Sequence, residues 1–219
     1  MALHLPPYQS LPAPDPRLDL LEVPLQHLRP TQLCIGLAEI RSRIEDFSRD
    51  SAEQRRNYLK TKPVPLVRNG AGELWMVDRH HRLRGLMELD PEATAFGYIV
   101  EQVESDDRQT TLAALQARGW LYLHDGRGLG PQPVNTLPDT LLDLQDDPFR
   151  SLVWKLKKEK VILSAARIPF HEFRWGAWLR SRTLPPFHSL RLEPALPAAR
   201  ALARSPAASH LAGWIGNQA

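Results

Sequence analysis

Glu73-Leu74-Trp75-Met76-Val77-Asp78-Arg79-His80-His81-Arg82-Leu83-Arg84-Gly85 is the stretch whose reading decides the fold of this 219-residue chain. An apolar, partly β-branched run stops at an acid, arginines and two adjacent imidazoles. Leu83, Leu86 and Leu89 then recur at helical spacing. The switch from strand to helix therefore falls where the polar chemistry is densest. Upstream, 64–67 and 74–77 are β-rich runs separated by Asn69-Gly70-Ala71-Gly72, which supplies the positive-φ residues of a hairpin. That hairpin delivers Asp78 to its end.

Working outward, residues 18–28 alternate weakly and read as a short strand, with Pro24 placing it at an edge or at the strand's start. Leu37, Ile40, Ile44 and Phe47 mark a helix, and Ser51 with Gln54 is a capping box for a second one running to about Lys60. After the 79–89 helix, Pro91 forces a break. A strand fits 95–103, and Ser105 can cap a helix through Ala117 that ends at Gly119. Strand, helices, hairpin, helix, strand and helix make a compact α+β core over 18–119.

The remainder reads as an extension. Gly126, Gly128 and Gly130 alternate in a loop, but no lysine-serine pair and no helix follow directly, so a Walker-type phosphate loop is not supported. A short helical piece is expected at 137–144. Asp147-Pro148 caps a helix over 149–160, whose lysines read as a solvated face or a nucleic-acid contact. A further helix covers 169–182, with Phe170, Phe173, Trp175 and Trp178 on its apolar side. Residues 120–184 are thus a loop and helical extension on the core, 185–219 a proline-interrupted helical tail, and 1–17 a loose arm.

Composition narrows the class. A formal charge of +3 permits phosphate or nucleic-acid ligands without demanding them, and the single cysteine, Cys34, excludes an internal disulfide. A reducing, cytoplasmic setting is the expectation. No basic segment followed by an apolar one opens the chain, and no run approaches about eighteen apolar residues, so neither export nor a membrane is expected. Oligomeric state leaves no mark in the sequence.

The arrangement Val64-Pro65-Leu66-Val67, then Leu74 to Gly85, preceded by Val23-Pro24-Leu25 and a helical segment, resembles the ParB/sulfiredoxin superfamily. Pro30-Thr31-Gln32, the Asp78-to-His81 segment, Asp146-Asp147-Pro148-Phe149-Arg150-Ser151-Leu152 and Pro169-Phe170-His171-Glu172-Phe173 are similar to the ParB-like nuclease family within it. The likeness spans about residues 20–182. It implies a small mixed sheet with flanking helices, a helical C-terminal extension, and a phosphate-binding turn after the hairpin. Sulfiredoxins carry a catalytic cysteine before a His-Arg pair; His80 stands there instead, and Cys34 lies far away in sequence. Partition ParB proteins hold CTP with a Gly-Glu-Arg-Arg-like turn, whereas Arg79 and His80 replace the glycine and glutamate, and no helix-turn-helix follows. Free-serine kinases use an Asp-Gly-His-x-Arg-like turn and a carboxylate base, for which Glu39 is the nearest candidate.

Residues and resemblance agree on the turn. A helix opening near Arg79 presents unpaired N–H groups and a positive dipole end, which favours phosphate. Arg79, His81 and Arg82 are the expected phosphate ligands, with Arg84 pointing elsewhere or pairing with an acid. Asp78 either caps the helix or holds Mg²⁺ or Mn²⁺. His80 and His81 are candidate proton carriers, Asp78 and Glu39 further catalytic candidates, and His124, Asp125 and Arg84 accessory ones. The expected activity is phosphoryl transfer or nuclease chemistry on a nucleotide such as ATP, ADP or CTP, or on nucleic acid. A non-catalytic nucleotide-sensing module that contacts DNA or protein, and a small-molecule kinase, are the alternatives.

Overall fold

The structure is a computed structural model that describes residues 7–15, 17 and 19–216. Its centre is a five-stranded mixed sheet in the order β1-β6-β4-β5-β2, built from β1 (Leu21–Pro24), β2 (Leu28–Pro30), β4 (Val64–Asn69), β5 (Leu74–Met76) and β6 (Thr94–Val103). The hairpin pairs β4 with β5 antiparallel, β6 runs parallel to β4, and β1 and β2 form the two edges. Pro24 ends an edge strand, where its missing N–H removes no ladder bond. The single strand expected over 18–28 is two strands, because Leu25–His27 forms a 3₁₀ turn that carries the chain from one edge to the other.

Alternation along the strands divides the core. Leu66 and Met76 pack with Ile40 and Phe47 of α1 (Leu37–Arg49), Leu59 of α2 (Ala52–Lys60) and Leu83 and Leu86 of α3 (His80–Leu89). Val67, Trp75 and Val77 face the other way, toward Leu112 and Leu115 of α4 (Arg108–Ala117), Trp120 and Tyr122. The capping box at Ser51 and Gln54 forms with both of its hydrogen bonds. Helix α4 is capped by Asp107, whose carboxylate accepts the Thr110 N–H; Ser105 lies too far upstream to do so.

The helical C-terminal extension has its own core. Leu152, Val153 and Leu156 of α5 (Pro148–Lys158) pack on Trp175 and Leu179 of α6 (His171–Arg180) and on Leu196 and Ala199 of α7 (Leu196–Arg204). Asp147 caps α5 with Pro148 at its first position, as the sequence predicts. The 137–144 helix does not form; that region holds 3₁₀ turns at Val134–Thr136 and Leu141–Asp143. The two parts are joined by a parallel pair, β3 (Cys34–Ile35) with β7 (Gln145–Asp146), and by Phe173, which leaves α6 to enter the sheet core.

Residues 7–15, within the stretch expected to be a loose arm, lie on the body. The Gln9 N–H donates to the Arg118 carbonyl at 2.8 Å, the Leu11 N–H to that of Arg167 at 3.0 Å, and the Trp120 indole to that of Gln9 at 2.8 Å. Among the described residues, no helix is long and apolar enough to cross a membrane.

Candidate functional site

The strand-to-helix turn opens into a cleft of about 220 Å³ between core and extension. Its lining includes Asp78 to Arg82 from the turn, Glu39 and Arg43 from α1, Arg150 and Lys157 from α5, and residues 168–173. Arg79 occupies the helix N-cap with φ 78°, in the left-handed region. A non-glycine residue there costs about 1–2 kcal/mol. The turn is held by the Asp78 carboxylate, which accepts the Arg79 N–H at 2.6 Å and pairs with its Nη1 at 3.2 Å. No side chain caps the first turn of α3, so its amide groups stay open toward an anion.

The two histidines have different work. His80 Nε2 accepts the backbone N–H of Thr31 at 3.1 Å, and His81 Nε2 accepts that of Gly36 at 2.9 Å. Each ring thereby pins the 31–36 segment to α3 and, when neutral, keeps its proton on Nδ1. Burial pushes His80 down to about 3, and burial together with the nearby Arg150 holds His81 well below the usual imidazole range. Both rings are therefore held neutral near pH 7, with Nε2 of each engaged by a backbone N–H.

The cations are distributed otherwise. Arg82 lies 5.4 Å over the Tyr58 ring, and its Nε and Nη1 are buried without a partner, as is Nε of Arg79. Arg150 is 5% exposed: its Nη2 bonds Glu39 at 2.8 Å, lies 4.0 Å from Glu172, and leaves Nε and Nη1 without partners. Arg43 reaches Glu39 at 3.2 Å, and Lys157 pairs with Glu172. Burial pushes both carboxyl groups up, but Arg150 with Arg43 and Lys157 outweighs it. Glu39 ends below the usual carboxylate range and Glu172 at about 2. With the imidazoles neutral, Arg43, Arg79, Arg82, Arg150 and Lys157 outnumber Glu39, Asp78 and Glu172, and the cleft is positive.

Carboxylates in this cleft are already paired with cations. Among the described residues, no three His, Cys, Asp or Glu side chains converge as a metal site would require. The donor set does not fit a preformed Mg²⁺ or Mn²⁺ site at Asp78.

The family model described as "Putative ParB-like nuclease" matches residues 21–181. The chain belongs to that family. The crystal structure of protein Atu1540 from Agrobacterium tumefaciens is similar to this ParB-like fold with a TM-score of 0.79 at 27% identity, over 92% of this chain and 100% of that one. No curated protein matches.

Of the expected site residues, Asp78, Arg79, His80, His81, Arg82 and Glu39 come together in the ParB-like cleft. Three others lie elsewhere. Arg84 pairs with Glu88 one turn on and reaches the Leu142 carbonyl. The His124 carbonyl accepts the Cys34 thiol at 3.1 Å, and the His124 ring lies tilted against Tyr122 with ring centroids 5.4 Å apart. The Asp125 carboxylate accepts the Arg127 and Leu129 N–H groups at 2.9 and 2.8 Å, which closes the glycine loop on itself. Arg43, Arg150, Lys157 and Glu172 are the residues that local spacing misses. The 146–152 and 169–173 segments carry two of them, and Lys157 sits in the lysine run read as a solvated face.

Proposed function

We propose that this ParB-like protein binds a phosphate-bearing ligand, a nucleotide or the backbone of a nucleic-acid strand, with its phosphoryl group at the 78–82 turn. The observation that carries this reading is the set of buried, unpartnered guanidinium N–H groups on Arg79, Arg82 and Arg150 around an uncapped helix N-terminus. Buried donors left unpaired cost about 1–3 kcal/mol each, and a phosphoryl group meets several of them at once. The cleft admits a phosphoryl group and a short substituent; a double helix is far too wide to enter 220 Å³.

Its chemistry is binding and positioning. Arg79, Arg82 and the α3 amides hold the oxygens, and the neutral imidazoles add no charge. Glu39 and Glu172, held ionised by Arg150, are weak proton acceptors near pH 7, so any turnover relies on orientation and charge neutralisation.

Calorimetric titration of the full chain with inorganic phosphate, ATP, ADP, CTP and single- or double-stranded DNA, with and without Mg²⁺ or Mn²⁺, tests the reading. Arg82→Ala should weaken the bound ligand about ten- to a hundredfold, the loss of a charge-assisted contact. Unchanged affinity in that variant would mean the site is misplaced. Ligand binding without any product under all metal conditions would leave a binding module and remove the nuclease and kinase readings.

A further inference from the structure

Eight charged side chains line the cleft at the 78–82 turn. Arg43, Arg79, Arg82, Arg150 and Lys157 bring five positive charges, and Glu39, Asp78 and Glu172 three negative ones. The imidazoles of the lining, His80, His81 and His171, add none near pH 7, because burial lowers all three. Burial opposes ionisation of Glu39 and Glu172, but Arg150 and their other cationic partners outweigh it. The lining therefore carries a surplus of two positive charges.

The ion pairs show where that surplus lies. Asp78 is taken by Arg79 at 3.2 Å, and Glu172 by Lys157, with Arg150 4.0 Å away. Glu39 is shared by Arg150 at 2.8 Å and Arg43 at 3.2 Å. Asp46 approaches Arg43 at 3.8 Å from outside the cleft, but its side chain is 53% exposed and water screens it. Among the described residues Arg82 has no acidic partner; its guanidinium lies over Tyr58. One surplus charge is thus Arg82, and the other is divided between Arg43 and Arg150. A ligand in the cleft can reach this charge: the Arg79, Arg43 and Lys157 side chains are 32%, 27% and 22% exposed, and Arg82 is partly buried.

We infer that the cleft selects a dianionic end phosphate, the terminal phosphoryl group of a nucleotide or of a strand, over the internal phosphodiester of a nucleic-acid backbone. This rests on the phosphate reading of the 78–82 turn and narrows it. An internal diester carries one negative charge and two terminal oxygens. An end phosphate carries a charge of about 1.5 to 2 near pH 7 and three terminal oxygens. Its second charge meets the second positive charge of the lining. Its third oxygen is a further acceptor for the guanidinium groups and the α3 amides, and one such charge-assisted bond changes affinity about ten- to a hundredfold. A cleft of about 220 Å³ also takes one ester substituent more readily than two.

The test is calorimetric titration of the full chain with thymidine 5′-monophosphate and with a dithymidine dinucleotide joined by one internal phosphodiester, with and without an added 5′-phosphate. At pH 7 the two end-phosphate probes should bind at least about tenfold more tightly than the dinucleotide that lacks one, and the tighter of the two tells a free nucleotide from a strand end. With the imidazoles neutral and Glu39 and Glu172 ionised, the second ionisation of the probe, near pH 6, dominates the pH dependence. Affinity for thymidine 5′-monophosphate should therefore fall about tenfold from pH 7 to pH 5, while that for the internal diester stays level. Arg82→Ala should remove most of the preference. A flat pH profile for thymidine 5′-monophosphate, no saturable binding of either end-phosphate probe, or equal affinity for the dinucleotide with and without its 5′-phosphate overturns the inference. If Arg82→Ala then weakens the internal diester, the phosphate reading survives; if it leaves every affinity unchanged, both fall.

Discussion

Replacing Arg150 with methionine is the most informative perturbation of this molecule. Arg150 is 5% exposed and stands between Glu39 at 2.8 Å and Glu172 at 4.0 Å, so its removal leaves two carboxylates short of a counter-charge. Breaking a buried ion pair by deleting one partner costs about 3–5 kcal/mol. Here Arg43 still reaches Glu39 at 3.2 Å and Lys157 still pairs with Glu172, which places the loss near the lower end, about 3 kcal/mol. For a chain of this length that is a fall of about 6–12 °C in melting temperature. The deficit also has a pH signature. Glu172 is held at about 2 against an ordinary 4.5, so its pairing stabilises the fold above the ordinary value and is lost as pH falls from about 5 toward 2. Calorimetric melting of parent and Arg150→Met should therefore show a gap that is full at pH 7 and narrower at pH 3. Adding Glu39→Met should recover part of the loss, because an apolar pair replaces an uncompensated charge. A loss below about 1 kcal/mol, or a gap that does not change with pH, would refute the account of Arg150 as the hub of the cleft.

Other consequences follow from the same geometry. Arg79→Gly relieves a left-handed residue and should raise stability by up to about 1 kcal/mol while weakening phosphate binding, a split that melting and titration read separately. The His80 and His81 rings should keep the Nδ1–H tautomer from pH 5 to pH 8 in ¹⁵N spectra, since His80 lies at about 3 and His81 well below its usual range. His80→Ala strands the Thr31 N–H and should lose about 1–3 kcal/mol in urea denaturation. Gly36→Ala places a methyl 2.8 Å from the Ser151 backbone nitrogen and should lose about 1–3 kcal/mol by the same assay.

Much of the core was legible because its signals are local. The 64–77 hairpin, the Ser51 capping box and the Asp147-Pro148 start each declare themselves within a few residues, and each forms. Elements set by long-range packing were not. Leu25–His27 turns because the chain must pass from one sheet edge to the other, and nothing within 18–28 records that demand. Lys157 illustrates the same limit: helical period places it on α5, but only the position of α6 decides that it meets Glu172 instead of water.

The candidate site divides along the same line, and the division explains the histidines. By composition, residues 78–82 read as an anion site and His80-His81 as proton carriers, since adjacent imidazoles stand beside an arginine. Both rings also have a structural task in the 31–36 segment, whose Thr31 and Gly36 N–H groups would otherwise be buried without acceptors. A charged imidazole cannot accept those bonds, and the Arg150 guanidinium beside His81 further opposes a second positive charge. Arg150 therefore does two things from outside the hairpin and α3. It keeps Glu39 and Glu172 ionised, and it helps keep His81 neutral and bonded to Gly36. The extension is in this sense part of the site: Arg150 of α5 adds to burial in holding His81 neutral and offsets burial in holding Glu39 ionised, both more than sixty positions earlier in the chain.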